Sequence, residues 1–325
     1  MNVLSLFDGM SCGRIALERA GIQVGNYFAS EIDKYAIKVS QNNWDDVTAV
    51  GDVAKISFSN GVLYTEAGEF QVERIDLVIA GSPCQGFSMA GKKLAFDDER
   101  SKLYFVFERI LKEIQAENPN VKFLLENVKM KQEYKDVISK HLGVTPIAIN
   151  SNLLSAQNRY RLYWANFEIN PIGDKGILLK DILQEEVPKK YYIKNGRLQW
   201  LKNFGELKER DGYVAFNPTK SKYLTPAPPD ASWNCICILQ WPHGSNSGGF
   251  RAIDGKTPAV TTSSWENNNL LLNEGLVRKL TPEECEKLQT VPVGYTSCVS
   301  DSQRYKMLGN GWTVDIIASI FKNLK

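Results

Sequence analysis

Histidine is scarce in this 325-residue chain, with only His141 and His243. Cysteine does not make up the shortage. The six cysteines, at 12, 84, 235, 237, 285 and 298, include no pair at metal-ligand spacing; Cys235 and Cys237 alternate on what reads as a strand. A zinc site is therefore not expected, and reduced thiols in a cytoplasmic setting are. No apolar run is long enough to span a bilayer, so no membrane association is expected. The opening MNVLSLFDGM has no basic residues ahead of its apolar run and no signal-type cleavage site, and it reads as a strand. Repeats, low-complexity tracts and heptads are missing too, so a monomer is expected. A net charge of +2 permits a polyanionic partner without demanding one.

What the chain does contain falls into two halves. Up to about residue 168, short apolar runs alternate with helical patterns. NVLSLF, NYFASE, IDLVIA and KFLLEN read as strands, while GRIALERAG and DKYAIKVSQNN read as helices. Leu103, Val106, Phe107, Ile110, Leu111 and Ile114 recur at helical spacing and make one apolar face. Strands alternating with helices imply an α/β, doubly wound, Rossmann-like domain on a parallel sheet. From about 171 to 275 the rhythm gives way to Pro, Gly, Asn, Ser, Trp and Tyr, with short β-like pieces such as NCICIL and PAVTTS. That region reads as mostly irregular-plus-β. Helical order returns at LTPEECEKLQTV, where Thr281 can cap, Pro282 can open the helix and Glu284 can close a capping box.

In doubly wound folds ligands bind beyond the carboxyl ends of the strands, where strand order reverses. The first strand runs into Phe7-Asp8-Gly9-Met10-Ser11-Cys12-Gly13. Glu31 ends the second strand, where it can accept from ribose hydroxyls, and Asp52 follows a third, where it can accept from an adenine amino group. The G-x-G-x-x-G fingerprint is missing, which favours a nucleoside without a pyrophosphate, such as S-adenosylmethionine. The competing reading is that Gly9 and Gly13 merely make a tight strand-to-helix turn.

The stretch GSPCQGFSMAG places Pro83 and Cys84 in a glycine-flanked loop directly after IDLVIA. Cys84 is either a small hydrophobe under a turn or a nucleophile. Pro83 restricts Ser82 to extended geometry, which projects Cys84 from the strand end. Glu126 ends the fourth strand at the same sheet edge, and the alternation in QNRYRLY puts Gln157, Arg159 and Arg161 on one face of a strand. Taken singly, Glu126 reads as a cap or ion-pair partner and the arginines as a solvated face. Together with an adenosine pocket they suit one chemistry. A thiol adds to C6 of cytosine, a protonated carboxyl donates to N3, an arginine holds the base oxygen, and C5 takes a methyl group from a sulfonium. The carboxyl must carry a proton when it acts, which calls for a buried position.

LSLFDGMSCG, SEID, GDV, GSPCQGFSMAG, LLENV, SAQNRYRLYWAN, RKLTPEECEKLQTVP and YKMLGNGWTVDII, in that order, closely resemble the motifs of the cytosine-C5 DNA methyltransferase family. The bacterial or phage type is the nearer likeness, although FDGMSCG looks more like the first motif of the animal de novo enzymes. The resemblance implies Cys84 as nucleophile, Glu126 as the acid at N3, and Arg159 and Arg161 near the cytosine. It implies S-adenosyl-L-methionine contacts from Phe7, Gly9, Glu31, Asp52 and Asn310, in a pocket that also takes in Asp8, Gly13, Ile32, Val53, Pro83 and Trp312. Trp312 stands where a small or β-branched residue is more usual. The resemblance also implies that 306–325 rejoins the catalytic domain, 1–168, leaving 169–305 as a smaller domain that reads duplex DNA through about 171–275. Expected DNA contacts are Gln85, Ser88, Gln157, Ser247, Gly248, Arg251, Thr261 and Thr262. Two other readings remain, a tRNA cytosine methyltransferase and a catalytically silent DNA-binding relative. A restriction-modification enzyme and an orphan are not distinguished.

Overall fold

Four consecutive buried residues, Val3–Leu6, form β1. The strand sits inside a seven-stranded sheet, where both faces are covered and alternation of polar and apolar residues has no use. The computed structural model describes residues 1–81, 99–194, 202, 205–218, 236–240, 249–251, 255–263 and 269–324.

After β1 come α1 (Cys12–Arg19), β2 (Tyr27–Ser30), α2 (Lys34–Asn43) and β3 (Val47–Ala49). A separate three-stranded antiparallel sheet follows, made of β4 (Ser57–Ser59), β5 (Val62–Thr65) and β6 (Gly68–Gln71). The main sheet resumes with β7 (Leu77–Gly81), then α3 (Glu99–Glu117), β8 (Lys122–Val128), α4 (Gln132–Leu142) and β9 (Ile147–Asn150). Strand β10 (Gln157–Asn158) stands apart from it, and β11 (Tyr160–Ala165) returns to it. The order across the sheet is β3-β2-β1-β7-β8-β11-β9. Neighbours from β3 to β8 pair in parallel, and β11 runs against both β8 and β9. Strand order reverses at β1, between β2 and β7, so the turn after β1 occupies the ligand-binding position of a doubly wound fold. On α3, Phe107, Ile110, Leu111 and Ile114 are buried in one core with Val78, Phe123 and Leu125, and Leu103 and Val106 pack at its margin. Each such side chain contributes roughly 1.5–3 kcal/mol through burial.

The later part of the chain holds α5 (Leu179–Ile182), β12 (Gly205–Arg210), β13 (Tyr213–Pro218), β14 (Cys237–Gln240), β15 (Gly249–Arg251), β16 (Thr257–Pro258), β17 (Leu270–Asn273) and β18 (Leu276–Lys279). Helices α6 (Pro282–Leu288), α7 (Asp301–Asn310) and α8 (Val314–Phe321) end it. Among the described residues this part is more regular than its composition suggests. Six of its strands form an antiparallel sheet in the order β12-β13-β18-β17-β14-β15, over a core that includes Val214, Phe216, Leu239, Leu272 and Val277. Of PAVTTS only Pro258 lies in a strand. At α6 the capping box forms as read, with Thr281 Oγ1 accepting from Glu284 N–H and Pro282 in the first turn.

The chain divides into two units. The larger comprises Met1–Asn150, Tyr160–Ile172 and Trp312–Lys325, and the smaller Ser151–Arg159 and Gly173–Gly311. The larger unit thus resumes at Trp312, not at 306, because α7 is tied into the smaller one. Its Arg304 pairs with Glu286 and Glu283, and Tyr305 donates its hydroxyl to the Leu280 carbonyl. No helix among the described residues is long and apolar enough to cross a membrane.

Candidate active site

The turn after β1 is tight enough to need three left-handed residues in five, Phe7 (φ 57°), Gly9 (φ 64°) and Ser11 (φ 62°). For residues with a Cβ this conformation costs roughly 1–2 kcal/mol each, and Asp8 offsets that cost. Its Oδ1 accepts from the Ser5 hydroxyl at 2.5 Å and the Tyr27 hydroxyl at 2.7 Å, and its Oδ2 accepts from the Ser11 hydroxyl at 2.5 Å. Burial raises the Asp8 carboxyl from 3.8 to about 6, against the opposing pull of those three hydrogen bonds. The expected cofactor contact from Asp8 is corrected accordingly: the carboxylate turns inward and fastens the loop. Gly13 is a packing residue, since a Cβ there would lie 2.4 Å from Ile79 Cδ1 and 2.7 Å from the Tyr27 hydroxyl.

Gly9, by contrast, has no atom of the described residues within 4 Å of where a Cβ would stand. Its N–H donates to Glu31 Oε2 at 2.8 Å, while Ile32 and Asp33 N–H donate to Oε1, both at 2.8 Å. Three backbone donors thus fix the Glu31 carboxylate in one orientation. Beside it the Ile32 side chain is 76% exposed. Asp52 accepts from Ala54 N–H at 3.0 Å and so caps the short turn that Val53 begins, with the Val53 side chain itself buried. An open glycine, an oriented carboxylate and an exposed aliphatic surface fit an adenosyl group.

In the same unit, Gly81 at the end of β7 is in register with Glu126 of β8. The chain therefore leaves the sheet beside Glu126 and reaches Cys84 three residues later. Cys84, Pro83, Gln85 and Ser88 lie outside the described residues. Glu126 is buried, and both of its oxygens are engaged. Arg161 Nε lies 2.8 Å from Oε1, and Trp312 Nε1 donates to Oε2 at 3.2 Å. Arg161 reaches it diagonally from β11, where Tyr163 is the residue directly opposite. The Trp312 ring rests on Gly81, where a Cβ would stand 2.8 Å from the indole nitrogen, and lies 3.6 Å from where a Gly13 Cβ would be. The Trp312 contact was not foreseen for Glu126; its only trace in the sequence is the unusual residue type after GNG.

The expected single strand with Gln157, Arg159 and Arg161 on one face is broken at Arg159. Gln157 belongs to the smaller unit and is fully buried. Its Nε2 donates to the Leu288 carbonyl and to Gln289 Oε1, and its Oε1 accepts from Val260 N–H. A DNA contact from Gln157 is corrected for that reason. Arg159 is buried in the same unit, donating to the carbonyls of Val260 at 2.8 Å, Gly309 at 3.1 Å and Gly311 at 2.9 Å. Its guanidinium therefore ties the segment leading into the exposed Thr261 and Thr262 to the end of α7 at the exposed Asn310. Asn310 itself ends α7 in the smaller unit. Arg251 ends β15, and its side chain, like Ser247 and Gly248, lies outside the described residues. No group of three His, Cys, Asp or Glu side chains able to hold a metal occurs among the described residues.

Comparison with known proteins bears on the whole chain. It is 30% identical to the type II methyltransferase M.NlaX of Neisseria lactamica, over 99% of this chain and 96% of that one. It is also 30% identical to the type II methyltransferase M.HpaII of Haemophilus parainfluenzae, over 99% and 88%. The fold resembles that of the Entamoeba histolytica methyltransferase EhMeth, with a TM-score of 0.63 at 19% identity, covering 100% of this chain and 99% of that one. The family model for C-5 cytosine-specific DNA methylase matches residues 1–325. With that match over its full length, and with the doubly wound sheet and the Glu126–Arg161 pair that accompany it, the chain belongs to the C-5 cytosine-specific DNA methylase family.

Proposed function

We propose that this DNA cytosine-C5 methyltransferase acts through Cys84 as nucleophile, Glu126 as the acid at N3 and Arg161 as the donor to the base oxygen. The observation that carries this reading is the register of Gly81 with Glu126, which starts the segment bearing Cys84 beside a buried carboxylate already paired with Arg161. The target cytosine must leave the duplex first, at a cost of a few kcal/mol in stacking and pairing. The Cys84 thiolate then forms a bond to C6, and the electron pair of the C5–C6 double bond moves towards C5. Glu126, protonated beforehand, gives its proton to N3 and offsets the charge that develops on the ring. Arg161 holds the base oxygen while its Nε stays on Glu126. S-adenosylmethionine, when bound, supplies the electrophilic methyl group that C5 takes. Loss of the C5 proton to a base restores the double bond and expels the Cys84 thiolate, and N3 returns its proton to Glu126.

Gly9, Glu31, Ile32 and Asp52 hold the adenosine part in this reading: Ile32 covers the adenine ring, Glu31 accepts from the ribose and Asp52 accepts from the adenine amino group. Arg159 is a positioning residue that shapes the loops around Val260 and Asn310. Thr261, Thr262 and Arg251 remain the proposed DNA contacts of the smaller unit. The test is methylation of mixed-sequence duplex DNA with S-adenosylmethionine, read by bisulfite sequencing beside Cys84→Ala, with tRNA as a parallel substrate. Protection at a short recurrent site, lost in Cys84→Ala, is expected. Protection that survives in Cys84→Ala, or methyl transfer to tRNA alone, overturns the proposal.

A further inference from the structure

Among the features that the family reaction does not absorb, the hydrogen bond from Trp312 to Glu126 is the most informative. A carboxyl that acts as an acid must place its proton on one oxygen and point it at the base. Arg161, a permanent cation, lies on Oε1 at 2.8 Å and keeps negative charge there. The proton therefore goes to Oε2, the oxygen that Trp312 Nε1 approaches at 3.2 Å. An indole N–H only donates. It can occupy a lone pair of Oε2 but cannot accept the Oε2 proton, so that O–H is turned away from the ring. The ring packs against both glycines: a methyl group on Gly81 would meet its nitrogen at 2.8 Å, and one on Gly13 would stand 3.6 Å from its Cζ3. A valine or serine at 312 has the wrong shape or reach to do the same.

We propose that Trp312 is a positioning residue for the reaction, fixing through its indole N–H the Glu126 oxygen that delivers the proton. The inference rests on Glu126 being the acid. Trp312 begins the segment that rejoins the larger unit, and its ring neighbours Gly13, at the start of α1, as well as Gly81, three residues before Cys84 in sequence. One side chain thus links the floor of the cofactor turn to the carboxylate.

The experiment is a double-mutant cycle on the full chain with Trp312→Phe, which keeps an aromatic ring and removes the donor, and Glu126→Gln. Steady-state methylation and S-adenosylmethionine binding are both measured. Trp312→Phe is expected to lower kcat by about tenfold or more while the KM for S-adenosylmethionine changes by less than about threefold, since orientation and not binding is lost. In the Glu126→Gln background the same substitution is expected to cost less than about twofold, because residues acting as a unit are not additive. An equal loss in both backgrounds overturns the proposal, as does a rise in KM with kcat unchanged. If Glu126→Gln keeps full kcat, the assignment of Glu126 as acid fails, and this inference with it. If Glu126→Gln is impaired and Trp312→Phe is not, only this inference fails. Should Trp312→Phe fail to fold by circular dichroism, Gly81→Ala, whose methyl displaces the indole nitrogen, takes its place with the same expected outcomes.

Discussion

Replacing Asp8 by asparagine isolates a single charge held under the cofactor turn. The carboxyl is raised from 3.8 to about 6, chiefly by burial and despite three donated hydrogen bonds. The folded state thus holds the Asp8 proton more tightly than the unfolded state does. The stability associated with that proton is fully present below pH 3.8 and is lost as pH rises through 6. At about 1.4 kcal/mol per pKa unit, an ionised Asp8 costs the fold about 3 kcal/mol at neutral pH. Asparagine keeps the shape and cannot ionise. Its Oδ1 still accepts from Ser5 and Tyr27, while Ser11 accepts from the new amide and turns its own proton to Ser40, 2.5 Å away. One rearranged hydrogen bond removes about 1 kcal/mol of the gain, so Asp8→Asn is expected to be more stable by about 2 kcal/mol at pH 7.5. At pH 4.5 wild-type Asp8 has regained its proton, and by linkage the advantage shrinks by about 2 kcal/mol. Urea unfolding at the two pH values, compared at a common m value, measures this change. Groups that titrate identically in both proteins cancel in the difference. An advantage that is the same at pH 4.5 and 7.5, or an Asp8→Asn protein less stable at pH 7.5 than wild type, would refute the account of the turn.

Two further substitutions test the smaller unit. Arg278 and Glu284 form a buried bidentate pair at 2.7 Å on both arms, so Arg278→Met leaves a buried charge and is expected to cost about 3–5 kcal/mol. The double variant with Glu284→Met is expected to recover part of that in the urea midpoint, and a double variant less stable than the single one contradicts it. Gly309→Ala puts a methyl 2.3 Å from the backbone of Thr261 and Thr262 and must displace that exposed segment. It is expected to raise the KM for DNA by about tenfold or more while S-adenosylmethionine binding is retained, in keeping with losses from a 1 Å misplacement; unchanged DNA KM in a filter-binding and kinetic comparison removes the 261–262 loop from the DNA contacts.

Some of the structure between the motifs is written locally in the sequence. Three two-residue hairpin turns end in glycine with both residues at positive φ: Asn60-Gly61, Asp211-Gly212 and Glu274-Gly275. The Asn-Gly and Asp-Gly pairs are strong short-range hairpin signals. The three turns account for β4–β5, β12–β13 and β17–β18, and hence for much of the regular sheet in a region whose Pro, Asn and Ser content suggests irregularity. Backbone geometry of this kind depends on two adjacent residues, so it was legible without any tertiary context.

The alternation of strands and helices in the first half, the helical apolar face from Leu103 to Ile114, the capping box at Thr281 and the family motifs were all legible in the sequence, because each depends on periodicity or on neighbours a few residues apart. The direction in which polar side chains point was decided only by tertiary structure. Asp8 sits in a loop that looks made for a ligand, yet turns to Ser5, Ser11 and Tyr27. Gln157 and Arg159 alternate with Arg161 along the chain, but the strand breaks at Arg159. The first two are consumed by buried carbonyls and amides, while Arg161 goes to Glu126. Trp312 meets Glu126 across 186 residues of chain. A buried donor or acceptor must find a partner wherever the fold supplies one; apart from Ser5 and Ser11 beside Asp8, these partners came from residues distant in the chain. Local pattern can name the residue type at a site; only the packed structure decides which of them faces the reaction and which holds the site together.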